Sequence, residues 1–380
     1  MITIALISVI ILVLPDCYIL FSIMNNASWW WKGLFLLPSV AYIFVMAKLF
    51  LAGDTRQEMM NLLFWLTLCV VLPLLIFSLI SLIGRGLGFI FNGIVPIFNL
   101  AGLIIALGWL GISIYGIAEG WKKITVENVD IRSPKIPAGF NGYKIVQLSD
   151  FHIGTYSSAP ECVDRIVDKV NSLNPDLIVF TGDLVNSSSS EIEEFKDILS
   201  RLRAKDGVYS VLGNHDYCFY RKYHGDETPD KELARVIDSQ KHIGWTMLRN
   251  SSVQISFGND SIALIGVDNA GSRGFIDKSD LGRALSGVPQ DEFKILLSHD
   301  PSHWRREVLP KSDVDLMLAG HTHAMQFKIF GWSPSEWAYP EWGGLYEEND
   351  SKLYVSTGIG ENIAFRFGAW PQIVLITLSN

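Results

Sequence analysis

Apolar positions crowd the first third of the chain and thin out into short runs after it. Four stretches, at about residues 2–22, 34–52, 62–83 and 97–119, are apolar all round when wound as helices. Each is near the ~20 residues needed to cross a bilayer, whereas a buried soluble helix would show a single apolar stripe. The pattern predicts four transmembrane helices. Pro15 and Asp16 interrupt the first, for which a cleaved leader is the competing reading. That stretch lacks a basic start and a clean small-residue cleavage site, so it is kept as a span. Asp16 reads as a protonated or hydrogen-bonded carboxyl at a proline kink.

From about residue 124 the pattern changes. ITVENVDI, YKIVQLSD, DLIVFTGD, VYSVLGNHD, SIALIGVD, KILLSHD, DLMLAGH, LYVSTG and IVLITL read as strands. SSAPECVDRIVDKVNSLN and SSEIEEFKDILSRLRA read as helices, each with serine near its start. Strand–helix alternation implies a layered α/β domain. The expected organisation is a transmembrane region over residues 1–121 and a second domain over 122–380.

Composition sharpens this picture. The 380 residues are 49% hydrophobic and only 18% charged, against ~25% charged in ordinary soluble domains. A net charge of −8 speaks against a nucleic-acid partner. Cys17, Cys69, Cys162 and Cys218 are scattered and make neither a disulfide framework nor a CxxC site. Four spans put both termini on one side, with Lys48, Arg56, Lys122 and Lys123 there and only Lys32 and Arg85 opposite. The positive-inside rule therefore predicts a multi-pass membrane protein with a cytoplasmic C-terminal domain, in the inner membrane if the source is bacterial.

Five strand ends carry metal-ligand chemistry. LSDFH supplies Asp150 and His152, TGD supplies Asp183, and GNHD supplies Asn214, His215 and Asp216. SHD supplies His299, and AGHTH supplies His321 and His323. Five of the eight histidines lie in these stretches. Each motif alone has a bland reading as turn chemistry or a satisfied core polar group. All five in order, each ending an apolar strand, point to a shared edge where loops converge. Two divalent ions about 3.5–4 Å apart can clamp the attacking and leaving oxygens of a displacement at phosphorus. A mixed oxygen and imidazole set suits manganese first, with iron or zinc as alternatives, over magnesium or calcium. Asn214, as a neutral ligand, keeps the centre net positive for an anionic phosphate.

These motifs resemble the calcineurin-like metallophosphoesterase superfamily, with its pattern D-x-H, GD, GNH(D/E), H and G-H-x-H, over roughly residues 140–380. The resemblance implies a two-sheet sandwich flanked by helices. It also implies that Asp150, His152 and His323 hold one metal, that Asp183 bridges, and that Asn214, His299 and His321 complete the second. His215 would protonate the leaving oxygen or steady the transition state, with Asp216 orienting it, and a metal-bridging hydroxide would attack. The stretch LYVSTGIGENIAFRFGAWPQIVLITL looks like a membrane-associated branch, some of whose members hydrolyse UDP-diacylglucosamine. Ala324 and Met325 follow GHTH here, where many relatives carry small glycines.

The expected activity is hydrolysis of a phosphodiester, pyrophosphate or phosphomonoester bond in a substrate that a lipid can carry. The rival is a non-catalytic membrane sensor or transport module with a phosphoesterase-like domain. FKIFGWSPSEWAYPEWGGLY places Phe327, Phe330, Trp332, Trp337, Tyr339, Trp342 and Tyr346 a few residues after His323. They read either as packing of a loop onto the sheet or as an amphipathic lip. His303 reads as a helix-surface residue, and Arg305 and Arg306 as a solvated pair.

Overall fold

A computed structural model of the chain describes residues 2–50, 57–272 and 274–380. Arg56 and the end of the second apolar stretch lie outside the described residues. The chain divides into a helical unit, Met1–Glu119 with Ile363–Phe365, and a second unit, Gly120–Asn362 with Arg366–Asn380.

The helical unit contains α1 (Ile2–Ser22), α2 (Trp29–Phe50), α3 (Gln57–Leu66), α4 (Leu72–Gly88) and α5 (Ile94–Ala118), with a π-helical turn at Thr67–Val71. Trp29–Phe50, Glu58–Gly88 and Ile94–Lys122 are each long and apolar enough to cross a membrane. Within α1, the stretch Ile10–Ser22 by itself is apolar but too short to cross, so the expected fourth span is not established among the described residues. The π turn has a local cause. Pro73 carries no N–H and cannot bond the carbonyl five residues before it, Leu68. Trp109 Nε1 and Ser113 Oγ donate to that carbonyl instead, at 3.0 and 3.3 Å. In an apolar surrounding an orphaned carbonyl costs several kcal/mol, roughly, so these donors hold the turn in place.

The second unit is a sandwich of two six-stranded sheets. Its strands are β1 (Thr125–Arg132), β2 (Lys144–Leu148), β3 (Leu177–Phe180), β4 (Val208–Ser210), β5 (Thr246–Met247) and β6 (Ser251–Phe257). They continue with β7 (Asp260–Gly266), β8 (Lys294–Leu297), β9 (Leu316–Ala319), β10 (Gly344–Glu348), β11 (Ser351–Val355) and β12 (Gln372–Ser379). One sheet runs β1-β12-β2-β3-β4-β5 and the other β10-β11-β9-β8-β7-β6. All nine sequence-predicted strands are present. The two-residue β5 and the edge strands β6 and β10 are additions. The edge strand β10 is largely exposed and lacks the apolar alternation that marks a half-buried strand, whereas β6 does alternate, with Ile255 in the core and Val253 packed against it.

The core lies between the sheets, where Ile145, Leu177 and Val179 meet Leu264, Ile295, Leu297 and Leu318. Pro160–Ser172 is a helix as expected, with Cys162, Val163, Ile166, Val167 and Val170 on its buried stripe. The second expected helix breaks into two short turns, Ser190–Glu193 and Lys196–Leu199. Pro229–His242 is a helix that the apolar pattern did not show. Its start is nevertheless written in sequence: Thr228 caps Lys231 N at 3.3 Å, and Pro229 stands at the first helical position. Strands β2, β3 and β4 are parallel, as are β8 and β9. Their carboxyl ends open on the same edge within each sheet, and that edge carries the site.

Candidate metal centre

The loops after β2, β3, β4, β8 and β9 bear all seven predicted ligands, and the structure gathers six of them into two sets. Donor atoms of Asp150, His152 and His323 lie within 4.8 Å of one another, as do those of Asp183, His299 and His321. The sets adjoin: His299 Nε2 is 3.0 Å from Asp183 Oδ2 and 3.9 Å from Asp150 Oδ1, and His152 Nε2 is 3.7 Å from Asp183 Oδ2. Asn214 is buried, and its Oδ1 has no hydrogen-bond partner.

The donor chemistry fits cations. Ring nitrogens face each other, His152 Nε2 to His323 Nε2 at 3.2 Å and His321 Nδ1 to His299 Nε2 at 3.3 Å. Burial holds His152 well below its usual pKa. Burial, then the proton on His299, holds His321 down at about 4, and burial followed by Arg366 holds His323 at about 3. Three neutral imidazoles are three ligands ready to coordinate. His299 goes the other way. Burial disfavours its charge, but Asp183 and Asp150 outweigh that and raise it to about 10. Two buried carboxylates thus demand positive charge at this point, and a proton on His299 answers that demand when nothing else does. An orphaned buried Asn214 oxygen beside them is what a neutral metal ligand would leave.

Backbone strain marks the same residues. Asp150, His152, Asp183, His321 and His323 all have positive φ, between 45 and 74°. Such conformations cost L-residues about 1–3 kcal/mol each and persist only where the surroundings enforce them. Two glycines allow the fit. A Cβ on Gly213 would overlap the Asp183 carboxylate, and one on Gly320 would overlap Ser149 Oγ and Asp150 Oδ2.

Asp216 differs from its expected role. Its carboxylate does not touch the His215 ring; it accepts from the amides of Asp183 and Leu184 at 2.9 Å, Val185 at 3.3 Å and Gly213 at 2.9 Å. Burial, then Asp183, pushes its pKa up to about 7, while the amide donors pull the other way. Asp216 therefore shapes the loop that bears Asp183. The residues that orient His215 are others. Its Nδ1 is 2.7 Å from the Asn186 carbonyl, Asn362 Nδ2 is 3.2 Å from its Nε2, and the Tyr220 ring lies 4.4 Å away.

Several supporting residues escaped the sequence reading. Tyr220 Oη accepts from Asn214 Nδ2 at 3.0 Å, and Tyr339 Oη is 2.8 Å from His321 Nε2. Arg366 is fully buried, ion-paired with Glu361, and donates to the carbonyl of Gly360 at 2.7 Å. That same carbonyl is 3.1 Å from His323 Nδ1, which leaves His323 Nε2 facing the centre. For Glu361 and Arg366 the signal lay in GENIAFRFG, where two opposite charges stand five residues apart among apolar positions ahead of the last strand.

With this geometry in view, comparison with known proteins is decisive. A family model for calcineurin-like phosphoesterase matches residues 143–325. The Bacillus subtilis metallophosphoesterase YkuE is 30% identical, over 70% of this chain and 90% of its own length. The chain belongs to the calcineurin-like metallophosphoesterase family. A Bos taurus transmembrane protein with a metallophosphoesterase domain is 32% identical over 70% of this chain. The chain spans about 60% of the length of that protein and of its Danio rerio counterpart. The UDP-2,3-diacylglucosamine pyrophosphatase LpxG of Chlamydia muridarum is 29% identical over 67% of this chain and 88% of its own length.

The remaining expectations divide. His303 is fully buried rather than on a helix surface, with Ser298 Oγ 3.0 Å from its Nδ1. Arg305 is paired with Glu341 and Glu348, and Arg306 donates to the carbonyls of Gly271 and Ala270. In the aromatic segment, Phe327 stacks on Phe367 at 5.9 Å, and the Tyr346 hydroxyl accepts from Trp342 N at 3.1 Å. Those residues pack the loop. Phe330, Trp332 and Trp337 are exposed.

Proposed function

We propose that this metallophosphoesterase hydrolyses a phosphodiester or pyrophosphate bond at two divalent ions, manganese first among the candidates. The observation that supports it most is the pair of adjoining donor sets with the orphaned Asn214 oxygen beside them. Asp150, His152 and His323 would hold one ion, His299, His321 and Asn214 the other, with Asp183 shared. The ions would supply Lewis-acid stabilisation of phosphoryl charge and an activated water. The chain's own part is positional. His215 has its Nδ1 fixed by the Asn186 carbonyl and its Nε2 met by Asn362 Nδ2; with the ring protonated and Asn362 turned aside, Nε2 would hand its proton to the leaving oxygen. Asn362, beside that nitrogen, presents an amide N–H to a phosphoryl or leaving oxygen. Every ligand position is filled, so nothing among the described residues favours a non-catalytic module.

The finer substrate class is lipid-linked. The LpxG relative is named for a diacylated, nucleotide-linked sugar, and the apolar helices suit a membrane. The Lys and Arg count supports a cytoplasmic domain; labelling of a cysteine introduced at an exposed position of that domain by an impermeant reagent in intact cells would refute that side. Metal-stripped protein, reconstituted with Mn²⁺, should recover turnover of bis(p-nitrophenyl) phosphate and of a UDP-linked lipid. No metal-dependent turnover of either would refute the hydrolase reading.

A further inference from the structure

Large apolar side chains are unevenly exposed on the second unit. Nine are exposed among its described residues, and seven of these sit on segments that touch the ligand loops. Phe219 and Tyr220 follow the Asn214–Asp216 turn. Phe275 lies edge-on to the His321 ring at 4.8 Å. Met325 comes two residues after His323. Phe330, Trp332 and Trp337 belong to a knuckle whose two tryptophans meet at 5.3 Å, with Phe330 wholly exposed and Trp337 80% exposed. Only Phe257 and Leu345 lie elsewhere. Scattered exposed apolar residues need no explanation, but a concentration around one functional centre does.

The knuckle is also rigidly tied to the ligands. Ser333 Oγ donates to the Ala324 carbonyl at 2.6 Å, Ser335 Oγ to the Thr322 carbonyl at 3.3 Å, and Tyr339 Oη meets His321. His323, Ala324, Met325 and Gln326 all have positive φ, from 44 to 60°. Four consecutive left-handed residues without a glycine form a strained turn, and it sets Met325 half-exposed beside the donors. Strain of this kind persists where the shape it gives is used.

We propose that this aromatic rim is the subsite for the apolar portion of an amphiphilic phosphate ester, whose phosphate rests at the donor sets. The inference builds on the hydrolase reading above. An ester held by its phosphate must lay its remaining groups against whatever borders the donors, and on this side the border is aromatic. Tyr339 and Phe275 both lie against His321, and Tyr339 follows Trp337 by two residues, so the rim meets the polar centre at that ring.

The test uses the full chain in nanodiscs of phosphatidylcholine, loaded with Mn²⁺, and a series of alkyl p-nitrophenyl phosphates from methyl to octyl. In the wild type, kcat/KM should rise by up to about fourfold per added methylene, the value expected for full burial of a CH₂. The double variant Trp332→Ala/Trp337→Ala should flatten that slope through KM rather than kcat, while Leu345→Ala should keep it. Partition of the esters into the disc is the same for each protein and cancels from the comparison. Phe330→Ser, at a wholly exposed position, gives a second reading should the double variant fold poorly, and should lower the slope in part. A slope equal in wild type and rim variants, as expected if the rim rests on the bilayer itself, would overturn the inference. A wild type that hydrolyses the methyl ester with no chain-length slope would do the same and leave the hydrolase reading standing. No turnover of any ester would overturn both.

Discussion

Asn214 donates its Nδ2 to the Tyr220 hydroxyl at 3.0 Å, and its Oδ1 is thereby left buried with no partner. An amide can present either end to a metal, and only the oxygen can ligate. The phenol decides which end faces inward. Tyr339 acts in parallel on His321, occupying Nε2 and leaving Nδ1 toward His299.

Tyr220→Phe should therefore weaken the second ion specifically. Loss of an orienting partner commonly costs about 10–100-fold in metal affinity. Calorimetric titration with Mn²⁺ should show one tight site unchanged and one weakened. Two unchanged sites would remove Tyr220 from the ligand framework.

Gly213→Ala should empty the site without unfolding the sandwich. The new methyl would push into the Asp183 carboxylate and meet Asp183 N at 2.6 Å. Such overpacking costs about 1–3 kcal/mol, below the ~5–15 kcal/mol by which a folded domain is stable. Metal content should fall below one per chain while circular dichroism stays as in the wild type.

Arg366→Met should destabilise strongly. It would strand the buried Glu361 carboxylate and free the carbonyls of Thr357, Gly360 and Ala369. Removing one partner of a buried ion pair costs about 3–5 kcal/mol. Thermal unfolding should show a large drop, partly restored in Arg366→Met/Glu361→Met. An unchanged midpoint would mean that the pair is hydrated and not structural.

Much of this was legible in the chain. Apolar strands ending in DFH, GD, GNHD, SHD and GHTH pointed to the side chains that gather at the candidate centre, because parallel strands bring their carboxyl ends to one edge. What stayed hidden acts across long sequence separations. Nothing local tells that Asp216 will bind amides 31–33 residues earlier, or that Asn362 will face His215 across 147 residues. Strand periodicity fails at β10, where an edge needs little burial, while the alternation of Val253, Ile255 and Phe257 in β6 stood in the sequence. The helix break at Phe195 was likewise silent, since SSEIEEFKDILSRLRA keeps good helix formers throughout.

The central claim is that seven side chains hold two ions while His215 serves the chemistry alone. The most direct measurement is metal content beside turnover number for wild type, Asp183→Ala and His215→Ala after Mn²⁺ loading. The account predicts two ions in the wild type, fewer than one in Asp183→Ala, and two in His215→Ala with kcat lowered by about 10²–10⁴. A His215→Ala protein that lost its ions, or an Asp183→Ala protein that kept both, would contradict it.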